Sequence, residues 1–213
     1  MKRERLTRAQ RKQQTRERLL DAAERMFVRK GLGATSVDDI ADEAGYTRGA
    51  FYFNFDSKAE VLIELLQRDG ERTHSEIKAI AEQGATPDEM RRRVIAYFTD
   101  SLGHDSFSLW AEGSLLAARD AAYRDSINLL RSQRLAATGE CIRCISPIDQ
   151  VRLSRERAEA LALGMVSLCD GIRFSTMGNG RNITDEGLHL VAVELISWLI
   201  KLDSIDKATI PTN

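Results

Sequence analysis

The apolar positions of the chain recur at the spacing of an α-helix along nearly its whole length. Residues three or four apart share one face of a helix, so a stripe at that spacing indicates a helix with one buried side. The first two stripes consist of Leu19, Ala23, Met26 and Phe27, and of Val37, Ile40, Ala41 and Ala44. We find no clear alternation with the period of two that is typical of a strand. The pattern predicts an all-α protein of about nine helices.

Capping and turn residues set the expected ends of the first helices. Gly31 favours a left-handed end for the first helix, and the Ser36 hydroxyl is suited to cap the second. Gly45 permits a tight turn, after which Thr47 begins a third, short helix that runs through Tyr52. Two short amphipathic helices joined by a glycine turn form a helix-turn-helix pattern.

Further capping signals start long helices in the rest of the chain. Ser57 to Glu60 form a capping-box sequence, and Thr86 followed by Pro87 is a strong helix start. The other helices are expected at Phe107–Arg119, Tyr123–Ile145, Ser154–Met177 and Thr184–Leu202. A boundary near Asp56 therefore separates the short helices from the long ones.

Charge is distributed unevenly, although the net charge is only −1. Residues 1–58 contain 13 Lys/Arg and 9 Asp/Glu, and eight of those basic residues lie within residues 1–18. A basic end on a near-neutral protein favours contact with a polyanion at that end, and the alternative is a solvated tail.

Composition also indicates the compartment. No run approaches the roughly 18 apolar residues of a membrane span, and no apolar run follows the N-terminal charges as in a secretory signal. The three cysteines are an odd number and fit a reducing environment better than a disulfide scaffold. We therefore expect a cytoplasmic protein without a membrane partner.

The third predicted helix carries residue types that suit the major groove of DNA. Arg48 can make a bidentate contact to guanine, and Thr47 is short enough to bond a phosphate or a base. Gly49 and Ala50 leave room for close approach. Neighbouring side chains that can bond phosphates or bases are Tyr52, Asn54 and Lys58. The alternative is a small three-helix core in which the aromatic residues only pack.

Residues 34–58, ATSVDDIADEAGYTRGAFYFNFDSK, resemble the N-terminal domain of the tetracycline-repressor (TetR) family, and the likeness covers roughly residues 15–62. The resemblance implies a homodimeric transcriptional repressor that binds double-stranded, near-palindromic operator DNA and is released by a small-molecule effector. We expect a basic N-terminal arm at 1–14, a helix-turn-helix DNA-binding domain at 15–56, and a larger helical ligand-binding and dimerisation domain at 57–213. We expect no catalysis, cofactor or metal.

The resemblance also implies roles for individual residues. Tyr52 and Lys58 take positions that contact phosphates in the family, and Ser36 takes a hydroxyl position near the start of the second helix. Asn54 stands where many members have histidine, which leaves open what it reads. Arg48 and Gly49 lie where members differ most, as expected of residues that read sequence.

The basic arm carries Arg3, Arg5, Arg8, Arg11 and Lys12, and it is longer than in the shortest members of the family. In some relatives such an arm reaches into the minor groove, and we take this as a hypothesis for this chain.

Aromatic residues on three neighbouring predicted helices are candidates for the wall of an effector pocket. The set is Phe98, Phe107, Trp110 and Tyr123, with Glu112 placed among them to attract a cation. The alternative is that these residues are ordinary core.

The last two helices are the candidates for dimerisation, because the resemblance implies that they pair with their symmetry mates in a four-helix bundle. Small residues that allow close approach and an apolar side are provided by Gly164, Ser167, Gly171, Leu190, Val193 and Trp198. An intramolecular bundle would bury the same residues.

Three other interpretations stay open. Cys141 and Cys144 form a CxxC motif that fits a redox or metal sensor. Two ExxH motifs, Glu71 to His74 and Glu186 to His189, fit a di-iron enzyme if Glu112 and either Glu140 or Glu159 supplied further carboxylates. The chain also fits a DNA-binding protein that no ligand controls.

Overall fold

The computed structural model describes residues 7–83, 86–101, 106–145 and 153–176, together with 187, 190, 191 and 193–195. This part of the chain is helical and contains no strand. Eight α-helices have both ends within the described residues: α1 (Arg8–Ala34), α2 (Val37–Ala44), α3 (Arg48–Asn54), α4 (Lys58–Gln83), α5 (Pro87–Ser101), α6 (Ser106–Arg119), α7 (Ala121–Ile145) and α8 (Arg155–Thr176). The predicted all-α class is confirmed.

Most helix ends lie within two residues of the predicted ones, and α1 is the exception. The break in α1 falls at Gly31, as predicted, where φ is 79°. However, α1 begins at Arg8, so the described half of the predicted arm is helical. Of the predicted last helix, the described residues 187, 190, 191 and 193–195 are helical.

The chain divides into two compact units. Unit 1 comprises residues 1–69 and 105–130, and therefore holds α1, α2, α3, α6 and the first parts of α4 and α7. Within it, α1 packs against α2, α3 and α6. Its core is built from side chains that are fully buried, the largest of which are Phe27, Phe51, Phe55, Leu19, Ile40, Leu62, Leu66, Leu109 and Ile127.

Unit 2 comprises residues 70–104 and 131–213, and has its own apolar core. The residues at its centre are Val94, Phe98, Ile142, Ala162 and Met165, supplied by α5, α7 and α8. A β-carbon built on Gly139 of α7 would lie 3.5 Å from the Ala158 backbone of α8, so these two helices approach closely.

Among the residues that the structure describes, no helix has the length and apolar character needed to cross a membrane.

Candidate nucleic-acid interface

The helix-turn-helix predicted from the sequence is formed by α2, α3 and the turn between them. Gly45 ends α2 in the left-handed region, at φ 73°, and its N–H donates to the carbonyls of Ala41 and Asp42. The Tyr46 N–H also donates to the Ala41 carbonyl, at 2.8 Å. Because side chains disfavour this φ, Gly45 sets the direction in which α3 leaves the turn.

Ser36 and Asp39 cap the first turn of α2 reciprocally. The Ser36 hydroxyl accepts the Asp39 N–H at 3.0 Å, and the Asp39 carboxylate accepts the Ser36 N–H at 2.8 Å. The hydrogen bond from the Ser36 backbone, together with the Lys30 ammonium 2.9 Å away, holds the pKa of Asp39 well below its ordinary value. Ser36, a predicted DNA contact, is exposed and also completes this cap.

One buried side chain anchors the short helix α3, and the other side chains lie around the rest of the helix surface. Thr47 caps the helix, because its hydroxyl accepts the Ala50 N–H at 3.3 Å, and Phe51 is fully buried. The remaining residues form three stripes, made by Arg48 with Tyr52, by Gly49 with Phe53 and by Ala50 with Asn54. Tyr52 is 47% exposed and Phe53 66% exposed, so α3 offers aromatic surface to a partner.

Arg48 is oriented by an acid on the preceding helix. Its guanidinium donates to the Asp38 carboxylate at 2.7 Å and to the Tyr52 hydroxyl at 3.4 Å. The hydrogen bond and charge of Asp38 raise the pKa of Arg48 above its ordinary value. Because the Arg48 side chain stays 58% exposed, Asp38 fixes its direction without covering it.

Arg16 joins α1 to the end of α3, and sequence reasoning did not identify this role. Its guanidinium donates to the Asn54 carbonyl at 2.5 Å, forms an ion pair with Glu64, and lies 4.2 Å from the Phe55 ring centroid. The partners are 38 and 48 residues away in sequence, so no local spacing reveals them. The Asn54 amide donates to the Ala50 carbonyl at 2.8 Å, and its contact with DNA stays a prediction.

The backbone after the break in α1 is held by both α4 and α6. Glu112 of α6 accepts the Leu32 N–H at 3.0 Å, and a β-carbon on Gly31 would lie 2.7 Å from the same carboxylate oxygen. Lys58, at the start of α4, donates to the Leu32 carbonyl at 2.8 Å and to the Thr35 carbonyl. Lys58 was predicted to bind phosphate and Glu112 to line a pocket. Both roles stay predictions, and both residues support the turn that precedes α2.

The aromatic residues predicted for an effector pocket belong to different units. Phe98 lies in the core of unit 2. Trp110 lies in the core of unit 1, where its indole N–H donates to Asp69 at 2.8 Å. Phe107 and Tyr123, also in unit 1, are half-buried. Their participation in effector binding stays a prediction.

The predicted dimerisation residues of α8 lie along an exposed side of that helix. Ser167 and Gly171 are exposed, and Gly164 is half-buried. The same side carries Leu163 and Phe174, which are 54% and 73% exposed. In the predicted last helix, Leu190 is exposed and Val193 half-buried, whereas Trp198 lies outside the described residues.

The residues considered for redox or metal chemistry are only partly described. Cys141 and Cys169 are buried, and burial raises the pKa of the Cys169 thiol to about 12. The side chains of Cys144, Glu186 and His189 lie outside the described residues. In the part of the chain that is described, no three His, Cys, Asp or Glu side chains are grouped so that they could hold a metal ion.

Comparison with known proteins identifies relatives of this chain. Residues 19–65 match the family described as bacterial regulatory proteins, tetR family. The HTH-type transcriptional regulator TtgR of Pseudomonas putida is 30% identical over 168 residues, which are 75% of this chain and 79% of TtgR. The HTH-type transcriptional activator FasR of Mycolicibacterium smegmatis is 28% identical over 157 residues, which cover 72% of this chain and 68% of FasR.

Solved structures share the fold at lower sequence identity. A transcriptional regulator from Saccharomonospora viridis, in complex with choline, has 22% identity and a TM-score of 0.70, covering 87% of this chain and 96% of that protein. The regulator FadR from Bacillus subtilis, in complex with stearoyl-CoA, has 21% identity and a TM-score of 0.63, covering 84% of this chain and 96% of FadR.

Proposed function

The chain belongs to the tetR family of bacterial transcriptional regulators, which are not enzymes, and on that premise we propose that it is a sequence-specific repressor released from its operator by a small molecule. The observation that carries the proposal is the exposed face of α3, where Asp38 orients Arg48 beside the exposed Tyr52. In a helix-turn-helix the second helix enters the major groove and its N-terminal residues reach base edges. Residues 15–56 then bind DNA, and residues 57–213 bind the effector and the second subunit.

The chemistry of the side chains on and near α3 assigns some of them to DNA bases and others to the DNA backbone. Arg48 suits a bidentate contact to guanine O6 and N7, and Thr47 lies beside it at the helix start. Gly49 and Ala50 have side chains small enough to let the helix approach the base edges. Phosphate contacts come from Tyr52, Asn54, Ser36 and the remaining N–H of the Lys58 ammonium.

We assign dimerisation to α8 and the last predicted helix. A stripe that includes exposed Leu163 and Phe174 is unusual for a monomer, and small residues beside it permit close helix approach. A two-fold dimer would present two copies of α3 to half-sites about 34–36 Å apart, which requires a near-palindromic operator.

Effector control would act through the turn between α1 and α2. Leu32 is bonded through its N–H to Glu112 of α6 and through its carbonyl to Lys58 of α4. A ligand that displaces α4 or α6 would therefore move the backbone that leads into α2 and α3. To release DNA, the ligand must bind the displaced state more tightly than the DNA-bound state.

The two ligand-bound neighbours suggest which compounds to test, since one holds choline and the other stearoyl-CoA. The experiment is a gel shift on the DNA upstream of the protein's own gene, with a scrambled duplex as control. The panel contains choline, a long-chain acyl-CoA and aromatic compounds. We expect a shift on the upstream DNA that one class of compound reverses. No shift on any duplex would contradict DNA binding, whereas a shift that no compound reverses would contradict effector control.

The direction of regulation needs a separate measurement, because FasR is named an activator. Transcription of a reporter from the bound promoter should fall when this protein is added. A rise would overturn the repressor part of the proposal and leave sequence-specific DNA binding in place.

A further inference from the structure

A groove of about 990 Å³ lies in unit 1, between the N-terminal part of α1 and the helix α3. From α1 it is lined by Arg8, Arg11 and Lys12, and from α3 by Ala50 and Phe53. Among the residues that the structure describes, no acidic side chain lines it. A groove with three cations and no anion is suited to a negatively charged partner.

The three cations share one face because α1 begins early. The Thr7 hydroxyl accepts the Gln10 N–H at 3.2 Å, and the Gln10 side chain accepts the Thr7 N–H at 2.8 Å. This capping box starts the helix at Arg8, and a helix places residues three and four apart on the same side. The first buried apolar side chain of α1 is that of Leu19. Residues 8–14, which form the overhang of α1, therefore contribute little to the core.

The charges on the overhang are not neutralised within the described residues. Arg8, Arg11 and Lys12 form no ion pair there, whereas Arg25 binds Glu43 at 2.9 Å in the same unit. The Lys12 ammonium lies 5.0 Å from the centroid of the Phe53 ring. This contact places a cation beside the most exposed aromatic side chain of α3.

Because Arg8, Arg11 and Lys12 lie on a helix, only some parts of a DNA duplex can enter the protein groove that they line. An α-helix with its side chains is about 10–12 Å across, and the minor groove of B-DNA is only about 6 Å wide. Arg8 and Lys12 therefore cannot enter the minor groove as parts of an extended arm. Arg8 and Lys12 can instead reach the sugar-phosphate backbone that borders the major groove, because the protein groove that they line adjoins α3.

We propose that this groove holds the sugar-phosphate backbone of the operator strand that lies on the α1 side of α3. Arg8, Arg11 and Lys12 bind its phosphates, and Phe53 packs against a deoxyribose. Arg48, which pairs with Asp38 of α2, lies on a different stripe of α3 from Ala50, so the backbone contacts and the base-reading arginine do not compete. This inference rests on the proposed DNA binding and adds a second surface to it.

The test replaces cations of the groove one at a time and together, using Arg11→Gln, Lys12→Gln and the double variant. Glutamine keeps the helix propensity, and circular dichroism checks that α1 persists. The control is Arg92→Gln, which removes one exposed cation from α5, outside the groove. Fluorescence anisotropy measures affinity for the upstream DNA and for a scrambled duplex over a range of salt concentrations.

Each lost phosphate contact should lower the slope of log affinity against log salt by about 0.9, so the double variant should lose about 1.8 per subunit, or about 3.6 for a dimer bound to both half-sites. Affinity for both duplexes should fall by the same factor, leaving their ratio unchanged. Arg92→Gln should retain the full slope.

An unchanged slope in the double variant would show that the groove is only a solvated face and would overturn the proposal. An equal loss of slope in Arg92→Gln would also overturn it, because the effect would then follow net charge. A changed ratio between the duplexes would place these residues on bases and contradict the backbone assignment. If the wild type bound neither duplex, the proposed function itself would fail.

Discussion

The pairing of Asp38 with Arg48 predicts how sequence recognition depends on a single acid. Asp38→Asn keeps an acceptor but removes the charge that orients the guanidinium. We expect the preference for operator over scrambled DNA to fall about tenfold, since a bidentate arginine contact contributes about 1–3 kcal/mol of discrimination. Affinity for scrambled DNA should rise, because a negative charge near the phosphates is lost. Anisotropy titrations with both duplexes measure the ratio.

Asp42→Asn provides the matched control, because Asp42 is an exposed acid on the same helix. It should raise both affinities without changing their ratio. An unchanged ratio in Asp38→Asn would show that Arg48 needs no orientation from α2.

The cap of α2 predicts a pH-dependent contribution to stability. The pKa of Asp39 is lowered in the fold, so its charged form stabilises the native state above the ordinary value of 3.8. That contribution is lost as pH falls below this value toward the folded pKa. Asp39→Asn should therefore have a lower Tm than the wild type at pH 7, and the gap should narrow below about pH 4. Calorimetry over pH 3–7 checks this, and a constant gap would contradict it.

Sequence reasoning identified side chains by type and position but not their partners. Arg48 and Tyr52 were predicted as DNA contacts from their side-chain chemistry and from the family resemblance, and the structure leaves both side chains exposed. The partner Asp38 could not be assigned, because its contact with Arg48 depends on the turn geometry at Gly45. Phe53 was missed because a phenylalanine in a short amphipathic helix is normally assigned to the core.

Between helices, the bonds around Leu32 predict that Glu112 stabilises the turn before α2. Glu112→Ala leaves the Leu32 N–H without its acceptor, which should lower the free energy of unfolding by about 1–3 kcal/mol. Glu112→Gln keeps a side-chain oxygen and should recover most of the loss. Urea denaturation compares the two variants. Equal destabilisation by alanine and glutamine would show that the negative charge, and not the hydrogen bond, matters.

Helix boundaries were predictable where a capping residue precedes an apolar stripe. The starts of α4 at Lys58 and α5 at Pro87 follow from such signals. The first turns of α1 were not found, because residues 8–14 have no apolar stripe. Their helix depends on the Thr7 cap and on continuity with the buried part of the same helix.

For the whole molecule, the exposed stripe of α8 predicts a dimer that one charge can disrupt. Leu163→Asp places a carboxylate in the proposed apolar interface and should convert the dimer to a monomer in analytical ultracentrifugation. Leu129→Asp, which changes an equally exposed leucine on α7, should leave the dimer intact. A wild type that sediments as a monomer at micromolar concentration would contradict the assignment of this surface.

The all-α class was predictable because helical stripes are local in sequence. The division into units was not, because unit 1 joins residues 1–69 to 105–130 across an intervening segment. No periodic pattern indicates that α6 packs on α1, since the contact of Glu112 with Leu32 spans 80 residues. The effector pocket stays a prediction, and two of the side chains assigned to it lie in different cores, Trp110 in unit 1 and Phe98 in unit 2.

If α3 reads a DNA sequence, the protein will select binding sites from a random duplex library. The wild type should enrich an inverted repeat with half-sites about one helical turn apart, or a multiple of it, and with a guanine at a fixed position. Arg48→Ala should lose the preference for that guanine and keep the rest of the site. Failure of the wild type to enrich any sequence would show that α3 does not read DNA sequence.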